Sequence, residues 1–309
     1  MKTVLLTGAT GFLGSHIAEK LVKQGFKVMA LKRASSNLNR CNGFKNQIQW
    51  IDCDYLNEME SQIIHSKPEI LIHAAWNGVK STDRDNWIEQ EKNISFLASL
   101  FEIVKKTNIS KIIALGSQAE YGNFDSTVDE NYNLNPNTAY GVAKVKTSVL
   151  LKVFAEQNKI EWYWLRLFSI FGPKEDSGWL FPTVISHLIE QKEIPLTACD
   201  QKYDYLFTQD FALGILKVVE CENNFSGIYN FSSNNSQKLK EVLITLEKRL
   251  SPYKKLLLFG ELPYRPNQVM HMQGNSNRFY EKFNFQPTYS IYDGLDETID
   301  YYLDKRKTK

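Results

Sequence analysis

Apolar and polar positions along the chain follow two alternating rhythms. Thr3-Val4-Leu5-Leu6 is a short continuous apolar run of strand formers, suited to a buried parallel strand. Phe12, Leu13, Ile17, Leu21 and Val22 then recur at three- to four-residue spacing, which places them on one face of a helix ending near Gly25. Further apolar runs stand at 26–32 (FKVMALK), 48–54 (IQWIDCD), 69–75 (EILIHAA), 111–117 (KIIALGS) and 161–171 (EWYWLRLFSIF). Helical periodicity returns near 85–107 and 139–158. Strands alternating with helices specify an α/β fold with a doubly wound parallel sheet. Right-handed crossovers put every strand C-terminus on one edge, where ligands of such sheets bind. That edge carries Gly8, Arg33, Asp54, Ala74, Ala75, Trp76, Ser117 and Phe168.

From about 173 the pattern loses regularity: GPKEDSGWLFPTVI, a strand-like IPLTA, then YNFSSN at 229–234, which is placed to return to the sheet. The expected organisation is a coenzyme-binding domain over 1–172 with a returning segment near 205–233, and a smaller interwoven substrate lobe over 173–204 and 234–309. The chain has no internal repeat and no Pro/Ser-rich linker that would string the lobe on separately. Its 309 residues, 43% hydrophobic and 23% charged, have the make-up of a globular protein without an 18-residue apolar stretch, so a cytoplasmic protein that leaves membranes alone is expected. Thirty-seven basic against 35 acidic residues give no reason to expect nucleic acid as a partner. Cys41, Cys53, Cys199 and Cys221 lack paired spacing, which speaks against a metal site or a disulfide framework.

Two segments carry candidate chemistry. In LLTGATGFLGSHIAEKL, Gly8 lets the strand turn, Gly11 lets the backbone approach a pyrophosphate and Gly14 lets the helix pack closely on the sheet. The helix N-terminus then offers free N–H groups to phosphate, although the same glycines also suit a purely architectural turn. Tyr140 and Lys144 lie four residues apart on one helix face, with Ser117 at the end of the preceding strand. A tyrosine exchanges protons efficiently at neutral pH only where a nearby cation favours the phenolate, and Lys144 is placed to supply that cation. Packing for Tyr140, solvation for Lys144 and loop capping for Ser117 are the alternatives.

TGATGFLG, HAA at 73–75, GSQAEYG at 116–122, YGVAK at 140–144 and RLFSIFGP at 166–173 together resemble the extended short-chain dehydrogenase/reductases, in the branch acting on nucleotide-linked sugars. The resemblance covers nearly the whole chain and implies a Rossmann fold with Ser117, Tyr140 and Lys144 as catalytic residues. Ser117 would hydrogen-bond the reacting sugar oxygen, Tyr140 exchange the proton, and Lys144 tune Tyr140 and hold the nicotinamide ribose. It also implies coenzyme contacts from Gly8, Thr10, Gly11, Phe12, Leu13 and Gly14, from Asp54 and Tyr55 at the adenine, from Ala74, Ala75, Trp76 and Asn93, and from Leu167, Phe168 and Ile170 beside the nicotinamide. Substrate contacts fall to Ser117, Gln118, Ser169, Trp179, Leu180 and Arg265, with Phe181 as a further candidate wall. Relatives pair the helices near 85–107 and 139–158 into a homodimer interface, here through Phe96, Leu100, Phe101, Val104, Val149, Val153 and Phe154.

NAD-specific relatives end the second strand in an acid; here it ends in Lys32-Arg33 followed by Ser35 and Ser36, which suits the 2′-phosphate of NADP(H). Sugar 4,6-dehydratases carry an extra acid and base where this chain has Gln118 and Ala119, which transfer no protons. GDP-fucose synthases add a cysteine and a histidine at the positions of Ala119 and Trp179. The expected reaction is therefore NADPH-dependent reduction of the C4 keto group of an NDP-4-keto-6-deoxyhexose, as in CDP-abequose synthases, for deoxysugar and polysaccharide synthesis. The alternatives are an NAD-dependent 4-epimerase and a nicotinamide-sensing regulator without catalysis.

Overall fold

The computed structural model describes residues 2–266 and 268–307. In chain order the elements are β1 (Thr3–Thr7), α1 (Phe12–Lys23), β2 (Lys27–Lys32), β3 (Ile48–Asp52), α2 (Leu56–Ser66), β4 (Ile70–His73), α3 (Trp87–Val104), β5 (Lys111–Ser117), β6 (Ser126–Val128), α4 (Ala139–Asn158), β7 (Glu161–Leu167) and β8 (Ser169–Phe171). They continue with α5 (Leu180–Ile189), β9 (Ile194–Leu196), β10 (Lys202–Phe207), α6 (Thr208–Glu220), β11 (Gly227–Phe231), β12 (Ser236–Lys238), α7 (Leu239–Leu250), β13 (Leu257–Phe259), β14 (His271–Gly274), α8 (Asn277–Phe283) and α9 (Ile291–Lys307).

Seven parallel strands in the order β11-β7-β5-β4-β1-β2-β3 form the main sheet, a Rossmann-type doubly wound arrangement. The order runs outward in both directions from the gap between β1 and β4, and the strand ends at that switch point open a crevice for ligand. Strand alternation feeds two separate cores. Val4 and Leu6 of β1 pack with Ile17 and Leu21 of α1 and with Phe211 and Ile215 of α6. Leu5 faces the other way, toward Met59 and Ile63 of α2, Leu97 and Phe101 of α3, and Leu151 of α4. Burial on both faces is why these strands read as continuous apolar runs.

The lobe is built on β12-β10-β14-β6, with β8 also pairing β10, and on the β13-β9 pair. Its core gathers Phe171, Phe181, Val184, Leu196, Phe207, Leu243 and Leu295. β11 comes back to the main sheet, pairing with β7 from Gly227↔Tyr163 to Phe231↔Leu167.

Two expectations need correction. The run 161–171 is two strands, because Phe168 turns its ring into a cluster with Tyr121, Phe124 and Met272. β7 stays in the main sheet while β8 opens the lobe by pairing with β10. The chain after 173 is regular: α5, α7 and α9 meet in the lobe core while α6 and α8 pack on the main sheet, and α2 likewise stands where no helix was expected. No helix among the described residues is long and apolar enough to cross a membrane.

Candidate active site

The glycine turn is shaped by close backbone approach. Gly8 has φ +76°, and a Cβ there would lie 2.6 Å from the Ala75 nitrogen. A Cβ on Gly14 would lie 2.0 Å from the Gly8 carbonyl oxygen. Gly11 caps α1 without any side-chain hydrogen bond, and no acid occupies the first turn, so the terminal N–H groups of α1 face the turn without an internal partner. A diphosphate fits such an end through both its charge and its acceptor oxygens. Thr10, Phe12 and Leu13 are half-buried around this end. Arg40, not anticipated from sequence, reaches the Thr10 carbonyl at 3.5 Å, the Lys174 carbonyl at 2.8 Å and the Asp176 carboxylate at 2.5 Å.

Beside the turn, the Ala75 N–H donates to Thr7 Oγ1 at 3.1 Å, and the same hydroxyl meets His73 Nδ1 at 3.0 Å. Burial drives the His73 imidazole down to about 3, so it is a neutral prop under the loop. At the end of β2 the Arg33 N–H donates to Ser36 Oγ at 3.0 Å and the Ala34 N–H to Asp54 Oδ2 at 2.8 Å, while Lys32 pairs with Asp52 at 4.0 Å. Both acids at this rim thus have partners, and the Arg33 side chain is exposed. Asp54 clasps the β2 loop, and Tyr55 projects into solvent.

Ser117, Tyr140 and Lys144 converge behind this rim, all three buried. Ser117 ends β5 as an N-cap, its Oγ accepting from Ala119 N at 3.2 Å. Tyr140 sits in the first turn of α4, where its N–H donates to the Arg84 carbonyl at 2.8 Å and Ala139 N–H donates to Asp85 at 3.1 Å. The Ser117 side chain lies close enough to favour its phenolate form. One turn on, Lys144 Nζ donates to the Leu115 carbonyl at 2.7 Å and stands 3.4 Å from the centroid of the Trp76 ring. Burial draws Lys144 down to about 7, with the Glu120 charge pushing it back up.

The phenol departs from expectation. Burial pushes Tyr140 above the ordinary tyrosine value, and the influences that lower it are Ser117 and the Arg84 guanidinium rather than Lys144. Arg84 stands 5.2 Å from the Tyr140 ring centroid, whereas Lys144 Nζ is 5.6 Å away on a separate side chain whose own charge is weakened by burial. Desolvation of the phenolate outweighs the Arg84 charge.

The remaining candidates are dispersed. Asn93 spends its amide on the backbone of Asn77 at 2.8 and 3.0 Å, pinning the loop after β4 to α3. Gln118, Ser169 and Ile170 are half-buried, while Leu167 and Phe168 are buried. Trp179 caps α5 and Leu180 packs on the lobe core. Phe181 is no pocket wall: it is wedged at 5.3 Å from Phe171 and 5.1 Å from Tyr205. Arg265 is exposed in the loop before β14, where its charge reaches Tyr203. Arg84 and Glu120 escaped the sequence reading; the only local signal for Glu120 is a charge in the small-residue run GSQAEYG.

A sequence model of the NAD dependent epimerase/dehydratase family matches residues 4–231. CDP-abequose synthase of Salmonella muenchen is 24% identical over 304 residues, covering 96% of this chain and 97% of that protein. A putative UDP-glucose 4-epimerase of Methanocaldococcus jannaschii is 24% identical over 324 residues, covering 99% and 100%. The crystal structure of UDP-glucose 4-epimerase with UDP-glucose from Thermotoga maritima superimposes with a TM-score of 0.87 at 21% identity, covering 98% of this chain and 99% of that one.

Proposed function

The chain belongs to the NAD dependent epimerase/dehydratase family, and from that premise we propose that it reduces the C4 keto group of a nucleotide-linked 4-keto-6-deoxyhexose with NADPH, yielding an NDP-deoxysugar. The observation that carries this reading is the placement of Tyr140: a phenol buried beside Ser117, which burial keeps protonated, is an acid placed to give a proton. When bound, the reduced nicotinamide supplies the electron pair and hydrogen that the carbonyl carbon takes up. Tyr140 Oη delivers its proton to the carbonyl oxygen, and Ser117 Oγ donates a hydrogen bond that steadies the developing alkoxide. Lys144 Nζ is one turn away to hold the ribose and to return a proton toward the phenol. Gln118 and Ala119 offer no acid or base for elimination, and the Glu120 carboxylate is turned inward onto Trp164 and Arg166.

The glycine turn and the uncapped end of α1 fit the coenzyme diphosphate. NADPH is favoured because Asp52 and Asp54 at the end of β3 have partners while Arg33 is exposed, leaving a guanidinium for a 2′-phosphate. The chain is further read as a homodimer paired through the outer faces of α3 and α4.

A 4-epimerase is the second reading, supported by an epimerase among relatives of equal identity. That reaction begins with a phenolate that takes the proton of a sugar hydroxyl, whereas burial keeps the Tyr140 phenol protonated. The deciding experiment mixes the protein with NADPH or NADH and a panel of 4-keto-6-deoxy nucleotide sugars and follows the reduced-nicotinamide absorbance. Stoichiometric consumption of NADPH is expected. Copurified NAD with interconversion of 4-epimers and no net oxidation would establish the epimerase, and inertness in both assays would leave a nicotinamide-sensing regulator.

A further inference from the structure

Glu120 has none of the roles above, yet it is a fully buried carboxylate directly behind the site. Its Oε1 accepts from the Ser117 backbone N–H at 2.9 Å and from the Trp164 indole N–H at 2.8 Å. Its Oε2 accepts from Arg166 Nε at 2.8 Å. Arg166 also donates to the Tyr121 hydroxyl at 3.0 Å, which donates to Asn230 at 2.6 Å, so one hydrogen-bonded chain runs from the end of β5 across β7 to β11. Trp164 links this chain to the lysine: its ring centroid is 5.8 Å from Lys144 Nζ while its N–H is held by Glu120.

Lys144 is 3% exposed and pairs with no carboxylate among the described residues. The groups facing it are the Leu115 carbonyl on β5, the Trp76 face and neutral His73 beside β4, Tyr140 on its own helix with Arg84 beyond, and Trp164 on β7. Of the buried Glu120–Arg166 pair, it is the carboxylate whose charge reaches Lys144. An ammonium in such a place loses its hydration and keeps its proton only where a negative charge or oriented dipoles compensate.

We propose that Glu120 is a positioning residue of this site: from behind the end of β5 its carboxylate fixes Ser117 through the backbone and supplies the negative charge that keeps the Lys144 ammonium protonated. The assignment rests on the reading of Ser117, Tyr140 and Lys144 as the reacting set. It differs from an architectural role, in which Glu120 serves only to neutralise Arg166. A purely architectural pair is replaceable by uncharged residues together at little cost.

The test reads NADPH affinity by fluorescence from pH 5 to 10 without any sugar, alongside the thermal midpoint. The limb belonging to Lys144 is identified by its loss in Lys144→Met. Wild-type affinity should weaken as pH rises through about 7. In Glu120→Gln that midpoint should fall by about one unit, making binding up to about tenfold weaker above the wild-type midpoint. The double variant Glu120→Gln/Arg166→Met removes the stranded cation, so it should regain thermal stability while its midpoint stays low. A double variant with wild-type stability and a wild-type midpoint overturns the proposal, as does one that does not fold or a wild-type chain without a Lys144 limb. A protein that binds NADPH but reduces no sugar defeats the reductase reading and leaves the midpoint shift measurable.

Discussion

Tyr140 is held by its backbone as firmly as by its ring. Its N–H is bound to Arg84, the preceding N–H to Asp85, and the phenol lies against Ser117. Removing only the hydroxyl therefore leaves the frame in place: Tyr140→Phe should lower turnover by about 10²- to 10⁴-fold, the usual worth of a positioned proton donor. Coenzyme affinity, read by fluorescence, should stay within a factor of about two to three, the usual context spread of such contributions. Gly14→Ala tests the other end of the crevice. Its methyl meets a backbone oxygen that no rotamer change relieves, so the variant should lose about 1–3 kcal/mol in urea unfolding, together with coenzyme binding. The residues legible in advance were those whose chemistry is local, a tyrosine and lysine one helical turn apart and a serine at a strand end. Arg84 beside the phenol and Glu120 under the serine depend on a loop folding back across α4 and on contacts between β5 and β7, which no periodicity records.

Among elements, the first half was readable because buried parallel strands and long covering helices each leave an unambiguous period. The lobe was not, because its strands are three to six residues long and its helices share their apolar faces with several partners. The stripes on α3 and α4 show how one period serves two ends. Leu100, Phe101, Val104 and Phe154 are spent inside the protomer, with the rings of Phe101 and Phe154 stacked 4.0 Å apart. Val149, Leu150 and Val153 remain exposed at 54, 42 and 46%. If α4 pairs two copies, Val153→Asp should yield a monomer by analytical ultracentrifugation with an intact far-ultraviolet spectrum. An undisturbed dimer would remove this face from the interface.

At the scale of the whole molecule, three buried titratable groups pull stability in opposite directions. His16 is lowered to about 4 and His73 to about 3, chiefly by burial. Their unfolded forms take up protons first, so stability is lost as pH falls below about 6.5. Glu175, whose Oε2 has no hydrogen-bond partner among the described residues, is raised to about 8 by burial and by neighbouring Asp176. The folded chain keeps a proton that the unfolded chain releases above about 4.5, so this group removes stability as pH rises from there to about 8. Glu175→Gln should match the wild type near pH 4.5 and exceed it increasingly toward pH 8, by up to about 4 kcal/mol. Parallel thermal midpoints across that range would show that the carboxyl ionises freely in the native state.

The route of the backbone adds a constraint on how such an enzyme acquires new substrates. The seventh strand, β11, reaches the main sheet only after the chain has passed through β8, α5, β9 and β10. Cutting the polypeptide after residue 172 would strip β7 of its outer neighbour and α1 of the aromatic cover from Phe211 and Phe231. Neither half is thus a transplantable cassette, and a change of sugar preference has to come from replacing side chains in place rather than from trading modules.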